Sequence, residues 1–184
     1  MAAKITEHTL EYPEGYEPDI IYPKQYGKYR FCLGKNGTDP LVAVCMNPSA
    51  AKETKSDMTI NRIIGISKLL NKNGWIVFNL YPERATNAKS LGAFNQTILN
   101  DNIEIIKEYL INKNIDEIWA AWGDIHNIES LCEGKRALLS MLSEINVRAF
   151  YYGTLTKSLN PRHPLQRHEK INLTDKKYLD LRIY

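Results

Sequence analysis

Apolar positions along this chain fall into four short runs, separated by longer stretches with helical spacing. The runs are Leu41-Val42-Ala43-Val44-Cys45-Met46, "WIVFNL" at 75–80, "IDEIWAAW" at 115–122 and "VRAFYY" at 147–152. Between them, residues 57–73 carry Ile60, Ile63, Ile64 and Leu70 on one stripe, and 95–112 carry Leu99, Ile103, Ile106 and Leu110. Residues 125–144 do the same with Ile128, Leu131, Leu138, Leu139 and Leu142. Steps of three and four predict amphipathic helices, while short runs apolar throughout predict strands buried on both faces. Gly74, Pro82, Gly123 and Gly153 punctuate the pattern.

Strands alternating with helices imply a three-layer α/β/α sandwich built on a mainly parallel, four-stranded sheet. Ahead of them, the alternating residues 29–33 run into Gly34-Lys35-Asn36-Gly37. Asn-Gly is a strong turn signal, so this strand is expected to form a hairpin with residues 41–46 as an added antiparallel edge. Residues 1–28, with Pro13, Pro18 and Pro23, read as an extended segment draped over the body. Residues 29–184 read as one domain, and the tail after Leu165 as a short final element.

The chain has 184 residues and 43% apolar content, enough for one compact core. No apolar stretch is long enough to cross a bilayer and the first residues lack a signal-peptide pattern, so a cytoplasmic protein without a membrane partner is expected. Cys32, Cys45 and Cys132 are scattered and read as buried free thiols. The four histidines are dispersed, so no metal and no cofactor is expected. A formal charge of +3 permits a nucleic-acid partner without arguing for one.

In open α/β sheets, ligands bind beyond the carboxyl ends of the strands. The groups that follow the four runs are Asn47-Pro48-Ser49; Asn79 with Tyr81-Pro82-Glu83-Arg84; Trp122-Gly123-Asp124 with His126; and Thr154 with the loop holding Asn160, Arg162 and His163. The opposite ends are plainer, with Asn73-Gly74, Asn114 and Asn146. Basic residues share the polar side: Lys52, Lys55, Arg84, Lys89, Lys157, Arg162 and Arg167. As a set they suit phosphate contacts, which orient a nucleic acid without reading it. No glycine-rich phosphate cradle and no nucleophile elbow is present.

These strand-end signatures resemble the uracil-DNA glycosylase superfamily, particularly its mismatch-type branch. "VCMNPSA" is similar to the first motif, in which an Asn holds the attacking water. "NRIIG" from Asn61-Arg62 looks like the Asn-Arg that starts the next helix, and "LNPRHPL" like the loop that grips DNA beside the lesion. The whole pattern also looks like an uncharacterised bacterial and phage domain family, over most of residues 29–167. The resemblance implies a monofunctional DNA glycosylase fold and activity. Its DNA is expected to be double-stranded and the enzyme a monomer. Such glycosylases place a stacking Phe between the first motif and the next helix, where this chain offers Met58. Stacking then passes to Tyr81 or Trp122, and base contact to Asn79. A pocket without that lid suits a larger, modified base, such as the glucosylated cytosine of phage DNA.

Hydrolysis of an N-glycosidic bond needs a flipped nucleotide, a placed water and a stabilised leaving base. Asn47 is the residue expected to orient the water, with Pro48 fixing the turn and Ser49 beside it. Asp57 is the second candidate for activating it, since an amide is a poor base. His163 is expected to donate to the leaving base or to phosphate. Arg62, Asn79, Tyr81 and Trp122 complete the substrate set; Lys52, Lys55, Arg84, Lys157, Asn160 and Arg162 form the DNA set. Competing with these roles, Asp57 is well placed to cap the first helix. Two alternatives stand beside the glycosylase: a hydrolase or transferase of free nucleosides or nucleotides, and a silent nucleic-acid-binding module.

Overall fold

The computed structural model describes residues 9–165 and 170–181. Its strands form one sheet: β1 (Ile20–Tyr22), β2 (Cys32–Lys35), β3 (Pro40–Cys45), β4 (Gly74–Asn79), β5 (Glu117–Ala120), β6 (Arg148–Tyr152) and β7 (Lys176–Tyr178). The spatial order is β1-β2-β4-β3-β5-β6-β7. Strands β4, β3, β5 and β6 run parallel. At the edges, β2 is antiparallel to β4, β1 to β2, and β7 to β6.

Helix α1 (Met58–Leu69) covers one face; α2 (Gln96–Asn112) and α3 (Glu129–Glu144) cover the other. The period-2 alternation of a strand shows why both faces need cover. Leu41, Ala43 and Cys45 pack with Ile60, Ile63 and Ile64 of α1, while Val42 and Val44 pack with Leu99, Ile106 and Leu138 of the other two helices. Each helix ends on an asparagine in the left-handed region: Asn71, Asn114 and Asn146, with φ of 54°, 52° and 57°. An Asn there closes the last turn at little cost. Asn114 and Asn146, plain polar residues at this end of the sheet, are therefore helix stops, while Asn73 accepts from Asp39 N–H and donates to the Thr38 hydroxyl.

The sheet is larger than the sequence pattern predicts, and one pairing differs. Residues 20–22, within the segment expected only to drape, form β1; the tail supplies β7. The expected hairpin is absent: β2 pairs with β4, with Leu33 opposite Val77, and β3 lies on the far side of β4. A hairpin would have left β3 near an edge, although its residues are apolar towards both faces and gain most from the sheet centre. Glycine makes the alternative packing fit. A Cβ on Gly34 would lie 2.3 Å from the Trp75 carbonyl oxygen, so β2 can approach β4 this closely only without one. Cys32, Cys45 and Cys132 are free, the first two buried. No helix among the described residues is long and apolar enough to cross a membrane.

Candidate functional site

A cavity of about 230 Å³ opens at the carboxyl ends of β3 and β4. Its most buried lining residues are Arg30, Cys45, Ile60, Val77 and Asn79. Asn47, Ser49, Asp57, Thr59 and His163 line it further out and are only half-buried. Four separate chain segments thus bring Asn47, Asp57, Asn79 and His163 to one hollow.

Asn47 leaves the end of β3 and ties two loops together. Its Nδ2 donates to the carbonyl oxygens of Ala85 at 2.8 Å and Pro48 at 3.0 Å, while Ala85 N–H donates to Pro48 at 2.9 Å. With the amide nitrogen so committed, Oδ1 has no donor among the described residues and remains an acceptor. Asp57 does cap α1: Oδ1 accepts from Ile60 N–H at 2.9 Å and Oδ2 from Ala51 N–H at 3.3 Å. A carboxylate oxygen takes more than one hydrogen bond, so capping and lining the cavity coexist.

Asn79 is the last residue of β4 and only 1% exposed. Its backbone carbonyl is held by Nδ2 of Asn102 on α2 at 2.9 Å, but its own Oδ1 is buried with no partner. Leaving a buried acceptor empty costs about 1–3 kcal/mol, which marks the position as kept for something other than stability.

His163 is held by a loop docked against Gly123. There Gly123 N–H donates to the Pro161 carbonyl at 3.0 Å, and the glycine has φ of 71°. A Cβ on it would lie 3.1 Å from His163 Cβ, which accounts for the Trp-Gly signature. The imidazole Nδ1 accepts from Leu165 N–H at 3.2 Å, so the neutral ring carries its proton on Nε2. Burial pushes the His163 pKa below its usual value, and the nearby Asp57 charge works the other way.

Arg30, immediately before β2, went unnoticed in the sequence. It is 2% exposed, and one Nη donates to the Ala51 carbonyl at 3.0 Å while Nε has no acceptor. Its pKa is lowered to about 10, chiefly by burial and then by the Arg84 charge, with Asp57 acting in the opposite direction.

The remaining expected residues go elsewhere. Tyr81 and Trp122 are fully buried in the core beneath α2 and α3. The Tyr81 hydroxyl accepts from Asn95 N–H at 3.1 Å and its ring packs on Phe94. Neither aromatic faces the cavity, which corrects the expectation that one of them stacks on a base. Pro48 is buried in the turn rather than lining the cavity, and Arg62 lies on the outer side of α1 in a shallow groove with Met58 and Leu69.

The basic set is mostly tied to the protein itself. Lys55 pairs with Glu11, and Arg162 donates to the carbonyl and hydroxyl of Thr154. Arg84 donates to the Ser49 and Ala51 carbonyls and lies over Tyr26, as does Lys52. Asn160 is buried, donating to Asp124 at 3.2 Å and accepting from Lys135 at 2.9 Å, which fixes the loop that carries His163. Lys157 and Lys89 are exposed. Arg167 lies outside the described residues.

A family model described as a protein of unknown function, DUF1643, matches residues 30–165, and the chain belongs to this family. No curated protein and no solved structure matches it.

Proposed function

We propose that the protein hydrolyses the N-glycosidic bond of a nucleotide flipped out of DNA, leaving an abasic site. The observation that carries this reading is the convergence of Asn47, Asp57, Asn79 and His163 on one cavity at the carboxyl ends of the parallel strands. The reaction needs an acceptor to hold a water, a base to take its proton, a donor for the leaving ring and a group to read that ring. The free Oδ1 of Asn47 holds the water and Asp57 takes its proton. Nε2–H of His163 donates to the ring or to its phosphate, and the buried amide of Asn79 reads the ring edge. This is the chemistry of the uracil-DNA glycosylase superfamily, and the fold reading belongs to the same proposal.

A cavity of about 230 Å³ is smaller than pockets that enclose a whole drug-sized ligand, roughly 300–1,000 Å³, and suits a single ring system. A sugar appended to a hypermodified base therefore has to lie outside it, at the mouth. The test is an abasic-site assay. Protein is incubated with uracil-containing DNA, unmodified DNA and phage DNA carrying glucosylated cytosine, then treated with alkali. Cleavage of one substrate, lost in Asn47→Ala, is the expected result; intact strands throughout refute the reading.

One observation favours a second reading. Lys55, Arg84, Asn160 and Arg162 all bond to groups of the protein, which weakens the phosphate-binding face. Hydrolysis of free nucleosides or nucleotides uses the same cavity without that face. Release of free base from nucleosides, with DNA untouched, would select it.

A further inference from the structure

The inner end of the cavity contains a charge that the chemistry above leaves unused. Among the described residues, the Arg30 guanidinium has one acceptor, the Ala51 carbonyl, and its Nε has none. Asn79 Oδ1, at the same end, has no donor. A donor and an acceptor are thus both empty in a place where most buried polar groups are paired.

The surroundings leave the cation a cation. Burial pushes the Cys45 thiol up to about 12 and raises the Tyr12 phenol above its usual value, so both stay neutral. Asp57 is the anion that acts on Arg30, and its oxygens already accept from Ile60 and Ala51. Even after burial, Arg30 titrates near 10 and keeps its charge at neutral pH.

We propose that this inner end is an anion site, and that Arg30 is a catalytic residue holding the negative charge acquired by the departing ring. The inference rests on the hydrolase reading above. As the bond from the sugar carbon to the ring nitrogen breaks, its electron pair passes to the ring and spreads to the edge facing the Arg30 donors. The water oxygen bonds to the sugar carbon and its proton goes to Asp57. The ring takes up a proton from solvent after release and Asp57 returns its proton to solvent, which closes the balance. Fixed donors aimed at charge that develops only during reaction are the arrangement that accelerates such steps most.

The test is binding of free rings, which needs no turnover. Calorimetric titration at mildly alkaline pH would compare nitrouracil with thymine and xanthine with hypoxanthine; the first of each pair is the ionised one. The wild type is expected to bind the ionised ring of one pair about tenfold or more tightly, the effect of one charge-assisted hydrogen bond. Arg30→Gln should abolish that preference and Arg30→Lys keep part of it. Equal affinity within both pairs, no binding by any ring, or a preference that survives in Arg30→Gln would each overturn the inference. If Arg30→Gln does not fold, the wild-type comparison and Arg30→Lys still decide it. An ion preference without abasic sites sinks the hydrolase reading alone, and abasic sites without a preference sink the anion site alone.

Discussion

Arg30 and Arg84 donate to the same carbonyl oxygen, that of Ala51, at 3.0 and 2.9 Å. Arg84 also reaches the Ser49 carbonyl at 3.1 Å, and the Ala51 N–H donates to Asp57. Two like charges on one acceptor repel, and the hydrogen bonds to the Ser49 and Ala51 carbonyls together with the Asp57 charge offset that repulsion. Arg84→Met is expected to lower stability by about 1–3 kcal/mol, measured by urea unfolding. DNA affinity should keep its wild-type salt slope, because Arg84 is spent on the loop. A slope shallower by about one would return Arg84 to the phosphate contacts.

Asp57 carries two roles that one pair of substitutions separates. Asp57→Ala removes the α1 cap and should cost about 0.5–2 kcal/mol. Asp57→Asn keeps a capping oxygen but gives up the charge beside the buried Arg30 and the acceptor of Ala51 N–H, so its activity is read at a temperature where the variant remains folded. Base release should still fall by about 10²-fold or more, the usual contribution of a general base. Full activity in Asp57→Asn would leave Asp57 as a cap alone.

His163 links the site to pH. Its folded pKa lies below the unfolded value because burial favours the neutral ring. Between those two values the unfolded chain binds a proton that the folded chain refuses, so stability rises with pH across the window and is unaffected above it. Thermal melts at mildly acidic and neutral pH should therefore show a loss on the acid side that is smaller in His163→Gln. An identical loss in both proteins would show that His163 is not the group responsible.

Asn79 exchanges stability for function. Its Oδ1 is buried without a partner, so Asn79→Leu, similar in size and apolar, should leave stability unchanged or raise it by about 1 kcal/mol. The same substitution should abolish base release. A strongly destabilised Asn79→Leu would mean that the amide is satisfied in solution.

Gly123 holds a backbone conformation that side chains avoid, with φ of 71° and a prospective Cβ 3.1 Å from that of His163. Gly123→Ala should cost at least about 1–2 kcal/mol from the left-handed backbone alone. The further effect is displacement of the His163 loop, read as loss of activity at temperatures where the variant remains folded.

The parallel sheet was legible because each central strand is apolar towards both faces, and the helices because their stripes step by three and four. Asn47, Ser49, Asn79 and His163 were legible by a positional rule: they lie at or beyond carboxyl ends of parallel strands, and the cavity forms there; Asp57 was legible as a carboxylate near the start of the first helix that could supply the base an amide cannot. Arg30 was not, because its location depends on which strand β2 joins. Read as a hairpin partner of β3, it has no reason to meet Asn79; paired with β4, it does. Tyr81 and Trp122 misled for a related reason. An aromatic with a polar atom at a strand end looks like a platform until α2 and α3 close over it, and that depends on contacts far away in the sequence. Asn160 looked like a DNA contact because it lies in a polar loop, yet it is the loop's own internal fastening.

The three residues of β1 have a consequence out of proportion to their length. They pair with β2, and the chain before them lays Tyr12 against the Trp75 ring at 6.1 Å and offers the Tyr16 carbonyl to the indole N–H at 3.0 Å. Trimming this leading stretch as dispensable would leave the peptide groups of β2 without their neighbour, and an open strand margin recruits one from another molecule. Such a shortened protein would self-associate. The leading stretch thus replaces the open margin of β2 with the shorter one of a three-residue edge strand.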